Sequence, residues 1–167
     1  MNRVGVISPD IVTYGILIGS CTRMSRVDLG FGIFGEMLKR GWNGNTLIFS
    51  SLINGLCKEK RVGDAAMVLD KMPHLGCKPN LVTYNMIIDG ICKEGVVDTT
   101  PKLLQQMTDN GISPDIVTYN CVVYRLCIEK RVGGAVQWLD KMPELGCKPG
   151  GTAVLETRDW HLCCFRR

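Results

Sequence analysis

Apolar residues recur at helical spacing along the chain, in paired segments separated by short breaks. Between 82 and 93 the apolar positions follow the three- and four-residue intervals of one helix face: Val82, Met86, Ile87, Ile88 and Ile91. Thr83 is a suitable residue to cap the start of this helix. After a break at Gly95, the pattern predicts a second helix over about 97–108. We expect it to end at Gly111, because glycine readily takes the left-handed conformation that closes a helix.

The same two-helix pattern returns every 35 residues. Three columns of residues keep this interval: Met37, Met72, Met107 and Met142; Gly41, Gly76, Gly111 and Gly146; and the aromatics Tyr14, Phe49, Tyr84 and Tyr119. We therefore divide the chain into the tail of a preceding unit, four full units and a divergent C-terminal tail: 1–10, 11–45, 46–80, 81–115, 116–150 and 151–167. One hairpin cannot bury both of its apolar faces alone, so stacking of neighbouring units predicts an all-α, right-handed α-solenoid.

Composition narrows the class of protein. The 167 residues are 46% hydrophobic, which is too apolar for a disordered chain, and no uncharged apolar run is long enough for a membrane span. The net charge of +4 permits an anionic partner without requiring one. Residues 1–10 have neither the apolar core of a secretory signal nor an Arg-rich amphipathic stretch, so no transit peptide is visible.

The candidate catalytic and metal-binding residues are explained better by the repeat. Five of the nine cysteines fall at repeat intervals: Cys57, Cys92 and Cys127, and Cys77 and Cys147. No closely spaced Cys pair of the zinc-binding kind exists, so we expect structural cysteines, no metal and no cofactor. We expect His74 to be solvated. His161 lies beside Cys163 and Cys164 but has no visible orienting acid, so the chain is not predicted to be an enzyme.

The repeat itself resembles a known family. The first-helix phrase VTYNMIIDGICK at 82–93, together with the M-x-x-x-G spacing and the proline that follows, resembles the pentatricopeptide repeat over 11–150. The uniform 35-residue units resemble its P subclass. The phrases GLCK and MP-x-L-G-C-K-P resemble plant restorer-of-fertility proteins. The W-x2-L-G-x2-Y signature of the 34-residue tetratricopeptide repeat is not found.

The resemblance implies binding of single-stranded RNA, with about one base read by two or three side chains of each unit. The implied base-reading pairs are the fifth and last residues of each unit: Gly15 with Asn45, Ser50 with Asn80, Asn85 with Asp115, and Asn120 with Gly150. The second residues are implied to sandwich the bases: Val12, Leu47, Val82 and Val117. At the thirteenth place, Arg23, Lys58 and Lys93 are implied to contact phosphate, whereas Ile128 departs from the pattern.

The implied base preferences differ between units. The family pattern implies adenine for Ser50 with Asn80, and uracil for Asn85 with Asp115. The glycines Gly15 and Gly150 have no side chain with which to discriminate. We expect Asn85 and Asp115 to lie close together on one wall of the groove. The alternative interpretation is that the Asn, Ser and Asp residues at helix starts serve only as caps.

Family resemblance also implies a setting and leaves alternatives open. The implied role is RNA processing, stability or translation in mitochondria or chloroplasts, as for fertility restorers. A helical scaffold that binds proteins is one alternative, because other helical-hairpin repeats hold peptides. A second is a truncated, non-functional product: the chain begins inside a unit and its tail, 151–167, fits no unit, so we expect a fragment of a longer protein.

Overall fold

The computed structural model describes residues 9–141, apart from the side chains of Val132 and Lys141. Across this part of the chain every regular element is helical, which confirms the all-α prediction. The eight α-helices are α1 (Ile11–Arg23), α2 (Val27–Lys39), α3 (Thr46–Lys58), α4 (Val62–Lys71), α5 (Leu81–Glu94), α6 (Thr100–Asp109), α7 (Ile116–Ile128) and α8 (Val132–Lys141). The first helices of the four hairpins begin at 11, 46, 81 and 116, and thus 35 residues apart.

The helices form two compact units, which divide between Pro79 and Asn80. In the first unit α1 packs against α2 and α3, and α3 packs against α4. Its core contains fully buried side chains from both hairpins, including Ile18, Met37 and Leu52. Phe34 and Phe49 meet edge to face, with ring centroids 5.3 Å apart.

The second unit repeats this arrangement. Here α5 packs against α6 and α7, and α7 packs against α8. The aromatic column supplies its largest buried side chains, Tyr84 and Tyr119. Asn110, at the end of α6, donates a hydrogen bond to the Tyr84 hydroxyl at 2.8 Å. The regular spacing of aromatics in the sequence is therefore a column of core residues.

The second helices end in a recurrent backbone hydrogen-bond motif at the Met-x-x-x-Gly sequence. At the end of α2, Gly41 has φ 83°, its N–H donates to the Leu38 carbonyl, and the Trp42 N–H donates to the Met37 carbonyl. The same pair of bonds joins Gly111 and the residue after it to the end of α6. These bonds satisfy carbonyls that have no partner inside the helix. The Met37 side chain at this closure is fully buried, as are Met72 and Met107. Met142 and Gly146 lie outside the described residues.

Equivalent ion pairs tie the two hairpins of each unit together. In the first unit Arg61 donates to Asp28 at 2.8 Å, and in the second Arg131 donates to Asp98 at the same distance. Arg61 at the start of α4 thus reaches the first turn of α2, and Arg131 at the start of α8 reaches the 3₁₀ turn that precedes α6. Because the carboxylates are largely exposed, each pair contributes little to stability.

Two sequence expectations about helix starts need correction. Thr83 is not the cap of α5: Asn80 is the N-cap, and Thr83 is the third helical residue of a capping box. The second helix of the third hairpin does not start as α-helix at Val97, because Val97–Thr99 is a 3₁₀ turn and α6 begins at Thr100. Pro101 lies in the first turn of α6, where its missing N–H has no helical partner.

A proline follows closely after the end of α4. The α-helix stops at Lys71, and a 3₁₀ turn over Pro73–Leu75 follows. The equivalent Pro143 lies outside the described residues. Within 9–141, no helix is both long and apolar enough to cross a membrane.

Substitutions at two glycines nine residues apart, each with free space around it, should have opposite effects on stability. A Cβ on Gly41 or on Gly32 would meet no atom within 4 Å, but only Gly41 has a positive φ. Gly41→Ala should destabilise the chain by about 1 kcal/mol, because an L side chain is strained in the left-handed region. Gly32→Ala, inside α2, should stabilise it by about 0.5–1 kcal/mol. Urea unfolding followed by circular dichroism measures both. Equal shifts of the two midpoints in the same direction would contradict the assignment.

Candidate nucleic-acid interface

Each first helix begins at a side-chain cap. The capping residues are Asp10, Asn45, Asn80 and Asp115, and all four have extended backbones. In every case the side-chain Oδ1 accepts a hydrogen bond of 2.8–3.0 Å from the N–H three residues later. Among the last-position residues predicted to read bases, Asn45, Asn80 and Asp115 are therefore also helix caps. The cap uses Oδ1, while the second polar atom of each side chain, Nδ2 or Oδ2, is available for other contacts.

The second residue of each first helix is an exposed aliphatic side chain. Val12, Leu47, Val82 and Val117 are between 52 and 70% exposed. The aromatic residues two positions later, such as Tyr84 and Tyr119, are fully buried. Val82 thus lies outside the core, in contrast to the helical pattern that grouped it with Ile87 and Ile91. Isolated exposed aliphatic residues are common, but the same register in four helices indicates a surface that repeats.

The most connected site lies in the second unit, between α5 and the start of α7. Asn85 Nδ2 donates to Asp115 Oδ1 at 3.3 Å, and Asn85 Oδ1 accepts from the Thr118 hydroxyl at 2.6 Å. The same Asp115 oxygen accepts from the Thr118 N–H at 2.9 Å. The predicted proximity of Asn85 and Asp115 is confirmed, although 30 residues separate them. Thr118 is a member of this site that the sequence analysis missed.

These contacts determine the charge state of Asp115. Partial burial acts to raise the pKa of the Asp115 carboxyl. Hydrogen bonds from the N–H and hydroxyl of Thr118 and from the Asn85 amide outweigh that effect, so the pKa lies below its ordinary value. Asp115 is therefore ionised at neutral pH and only accepts hydrogen bonds.

In the first unit the corresponding residues line an open groove. This cavity of about 300 Å³ is bordered by five predicted site residues: Val12, Gly15, Arg23, Asn45 and Leu47. A Cβ on Gly15 would lie 3.8 Å from Ile48 Cγ1, an ordinary van der Waals contact. The groove is thus open at the place where the second unit carries the Asn85 side chain.

The remaining predicted readers are placed less completely. Ser50 is a half-buried residue of α3 in the first unit, whereas its predicted partner Asn80 is an exposed cap in the second unit. Asn120 is exposed on α7. Its predicted partner Gly150 lies outside the described residues, as do His161 and the tail 151–167.

The predicted phosphate-binding residues are exposed at the ends of the first helices. Arg23 and Lys58 are exposed. Lys93 is also exposed, and its Nζ forms a 2.6 Å ion pair with Asp89 Oδ2 one turn earlier. A phosphate at Lys93 must therefore compete with Asp89, a constraint that the i, i+4 spacing of the two residues in the sequence could have revealed. Ile128 occupies the equivalent place on α7 and is 47% exposed.

Among the described residues, those considered for catalysis or metal binding show no constellation of that kind. His74 is exposed, and Cys77 and Cys92 are buried. Burial raises the pKa of the Cys92 thiol to about 12, which keeps it in the unreactive protonated form. Within the described part of the chain, no group of three or more His, Cys, Asp or Glu side chains lies close enough to hold a metal ion.

Comparison with known proteins identifies the repeat. The PPR repeat family matches residues 9–57, 44–93 and 79–128, and the PPR repeat matches 117–147. The chain belongs to the pentatricopeptide repeat family. It is similar to "Protein Rf1, mitochondrial" of Oryza sativa subsp. indica, with 45% identity over 75 residues. That match spans 43% of this chain and 10% of the Rf1 sequence.

Solved pentatricopeptide repeat structures share the fold. The crystal structure of PPR10 from maize superposes with a TM-score of 0.84 at 22% identity, over 95% of this chain and 23% of PPR10. PPR10 in complex with an 18-nt psaJ RNA element gives a TM-score of 0.72 at 23% identity, over 87% of this chain and 22% of PPR10. The fold is therefore that of a helical-repeat solenoid, and the chain spans less than a quarter of the length of each of these relatives.

Acid unfolding tests the electrostatics of the Asp115 cap. Because its folded pKa is lowered, Asp115 contributes stability above its unfolded pKa, near 3.8, that is lost as the pH falls through the folded value. Asp115→Asn keeps a capping oxygen but cannot titrate. Its thermal midpoint should therefore fall less between pH 5 and pH 2–3 than that of the wild-type chain. An identical fall in both proteins would contradict the lowered pKa.

Proposed function

We propose that this chain is a single-stranded RNA-binding module of a pentatricopeptide repeat protein, with a binding role and not a catalytic one. The observation that carries the proposal is the Asn85–Asp115–Thr118 constellation, in which a polar amide is held next to a surface marked by exposed aliphatic residues. The crystal structure of PPR10 with RNA supports the same class of ligand, because this chain shares its fold.

The chemistry of this surface suits an unpaired base. A base has two flat apolar faces, which can pack against side chains such as Val82 and Val117, and a polar edge. Asn85 offers that edge one remaining amide proton and one remaining lone pair, because its other proton and lone pair are used by Asp115 and Thr118. Uracil presents a donor and an acceptor side by side, so a fixed amide can bond to both.

The first unit supports a non-discriminating role for its groove. Val12 and Leu47 line the same cavity, at the lower end of the volume range of ligand pockets. Gly15 places no polar group in it. We therefore propose that a base is accommodated there with little selection. For Ser50 with Asn80 we propose a preference for adenine, and for Asn120 a preference for pyrimidine.

The proposed setting is organellar. Similarity to mitochondrial Rf1 supports a mitochondrial role for the longer protein to which such repeats belong. We propose that its RNA ligand is an organellar transcript, and that binding serves RNA processing, stability or translation, as in fertility restoration. The chloroplast is the alternative compartment.

The direct test is equilibrium binding of the 167-residue chain to short oligonucleotides at low salt. We expect single-stranded RNA to bind more tightly than double-stranded RNA of the same sequence, because only unpaired bases expose both faces and their edge. Single-stranded DNA of equal length is the control for the 2′-hydroxyl, because it carries the same charge and also exposes unpaired bases. Equal, weak binding of all three nucleic acids would contradict the proposal and favour the protein-scaffold alternative.

A reader substitution should change base preference. Asn85→Thr should shift the preferred base at this position from uracil towards guanine, as the family pattern implies, with folding retained because Asn85 is only half-buried. The measurement is the ratio of affinities for RNAs that differ at a single base. An unchanged ratio in a folded variant would remove Asn85 from the base-reading residues.

A phosphate-contact substitution should have a different effect. Lys93→Ala should weaken binding to all RNA sequences about equally and reduce the salt dependence, lowering the slope of log K against log salt by about 0.7 for one contact. Lys102→Ala, which removes the same charge from an exposed side chain on α6, is the matched control and should change the slope less. A change in base preference on Lys93→Ala would reverse the roles assigned to Lys93 and Asn85.

A further inference from the structure

Thr118 is the buried centre of the Asn85–Asp115 site. It is the third residue of α7, and its side chain is fully inaccessible to solvent. Its hydroxyl lies 2.6 Å from Asn85 Oδ1 and 2.8 Å from Asp115 Oδ1, and it accepts from the Asp115 N–H at 3.2 Å. One side chain therefore joins the reader, the cap and the first turn of the helix.

The donors and acceptors at this site fix the orientation of the Asn85 amide. Asp115 is an ionised carboxylate that only accepts, so it favours the orientation in which the amide nitrogen of Asn85 faces it, but this bond is long, at 3.3 Å. The amide oxygen then faces the Thr118 hydroxyl. The contact to Thr118, at 2.6 Å, lies within the normal range for an O–H···O hydrogen bond, whereas the one to Asp115, at 3.3 Å, is longer than usual for an N–H···O bond.

The equivalent threonine of the preceding repeat shows that capping alone does not require this bond. Thr83 is also the third residue of its helix and fully buried, and its hydroxyl donates to the Asn80 backbone carbonyl at 2.7 Å. It also accepts from the Asn80 N–H. Both threonines complete a capping box by accepting from the N–H of the cap, but the single hydroxyl proton of Thr118 is shared between Asp115 Oδ1 and Asn85 Oδ1 on α5.

The corresponding place between α1 and α3 in the first unit has neither an asparagine nor a hydroxyl. Ile48 occupies the third position of α3, and the residue facing it on α1 is Gly15, where an added Cβ would lie 3.8 Å from the Ile48 side chain. A hydroxyl at the third position therefore accompanies an asparagine reader in the second unit. An aliphatic side chain accompanies glycine in the first.

We propose that Thr118 is a positioning residue for base reading: its hydroxyl holds the Asn85 amide in the orientation that distinguishes uracil from cytosine. This inference rests on the proposed RNA-binding function. Cytosine presents its donor and acceptor in the reverse order to uracil, so an amide free to turn over could bond to either base. Thr118 acts on the base only through Asn85.

The test compares three variants of the full chain. Thr118→Val removes the hydroxyl and keeps the branched shape, Thr118→Ser keeps the hydroxyl, and Thr83→Val makes the same change in the neighbouring capping box. The measured quantity is the ratio of affinities for short RNAs that carry uracil or cytosine. Thr118→Val should lower this ratio about two- to tenfold, the range for one hydrogen bond. Thr118→Ser and Thr83→Val should lower it by less than about twofold, below the range for one hydrogen bond.

The possible failures are distinguishable. If the wild-type chain binds neither RNA, the proposed function and this inference both fall. If the wild-type chain prefers uracil and Thr118→Val keeps that preference, only the role of Thr118 is overturned. An equal loss in Thr83→Val would likewise overturn it, because the effect would then belong to capping in general.

A gain-of-function pair keeps the inference testable if Thr118→Val does not fold. The space beside Gly15 admits a side chain. Gly15→Asn alone should add little uracil preference, whereas Gly15→Asn with Ile48→Thr should raise the uracil-to-cytosine ratio at least about twofold over the single variant, as one added hydrogen bond would. Equal ratios in the two folded variants would overturn the inference.

Discussion

The hydrogen bond that a capping side chain accepts from the third N–H of each first helix sets the phase of the whole repeat. Once Asp115 starts α7, the helical period of 3.6 residues decides which side chains face outward and which face inward. Val117 and Asn120 become exposed, while Tyr119 and Val122 enter the core. A start displaced by one residue would rotate the helix by about 100° and bury the wrong face. The cap therefore places the candidate interface as well as the core.

Capping and base reading are consequently not competing explanations for the last residue of a unit. In Asp115, capping uses one carboxylate oxygen, and the residue itself lies between α5 and the start of α7. Asp115 caps α7 and contacts the proposed reader Asn85 through a single oxygen, which accepts from Thr118 and from Asn85. Any substitution there changes local stability and the orientation of Asn85 together, so binding measurements on such variants need a stability measurement beside them.

Much of the fold could be predicted from the sequence because the interactions that define it are local. The Met-x-x-x-Gly closures and the breaks between helices involve residues within one turn of each other, and repetition at 35 residues made each of them visible several times. The closeness of Asn85 and Asp115 was predicted from family resemblance, which carried information about packing. Composition alone did not contain it.

The errors and omissions concern features for which the local sequence is compatible with more than one arrangement. Thr83 and Asn80 are both good capping residues, and only the backbone shows that Asn80 is the cap while Thr83 completes the box. The bond between Thr118 and Asn85 joins residues 33 apart, and its geometry depends on how α5 packs against α7. By contrast, the i, i+4 spacing of Asp89 and Lys93 in the sequence was enough to predict their ion pair, with which a phosphate would have to compete.

The most direct measurement of the central claim is a methyl NMR titration of the chain with a short single-stranded RNA. Bases stacked on the exposed aliphatic side chains of the first helices would shift the methyl signals of Val12, Leu47, Val82 and Val117 through their ring currents. We predict that these signals move together, while those of the buried Ile87 and of Leu38 and Val68, which line a separate cavity in the first unit, stay in place. Shifts centred on Leu38 and Val68, with the methyl signals of the exposed valines and Leu47 unchanged, would contradict the account.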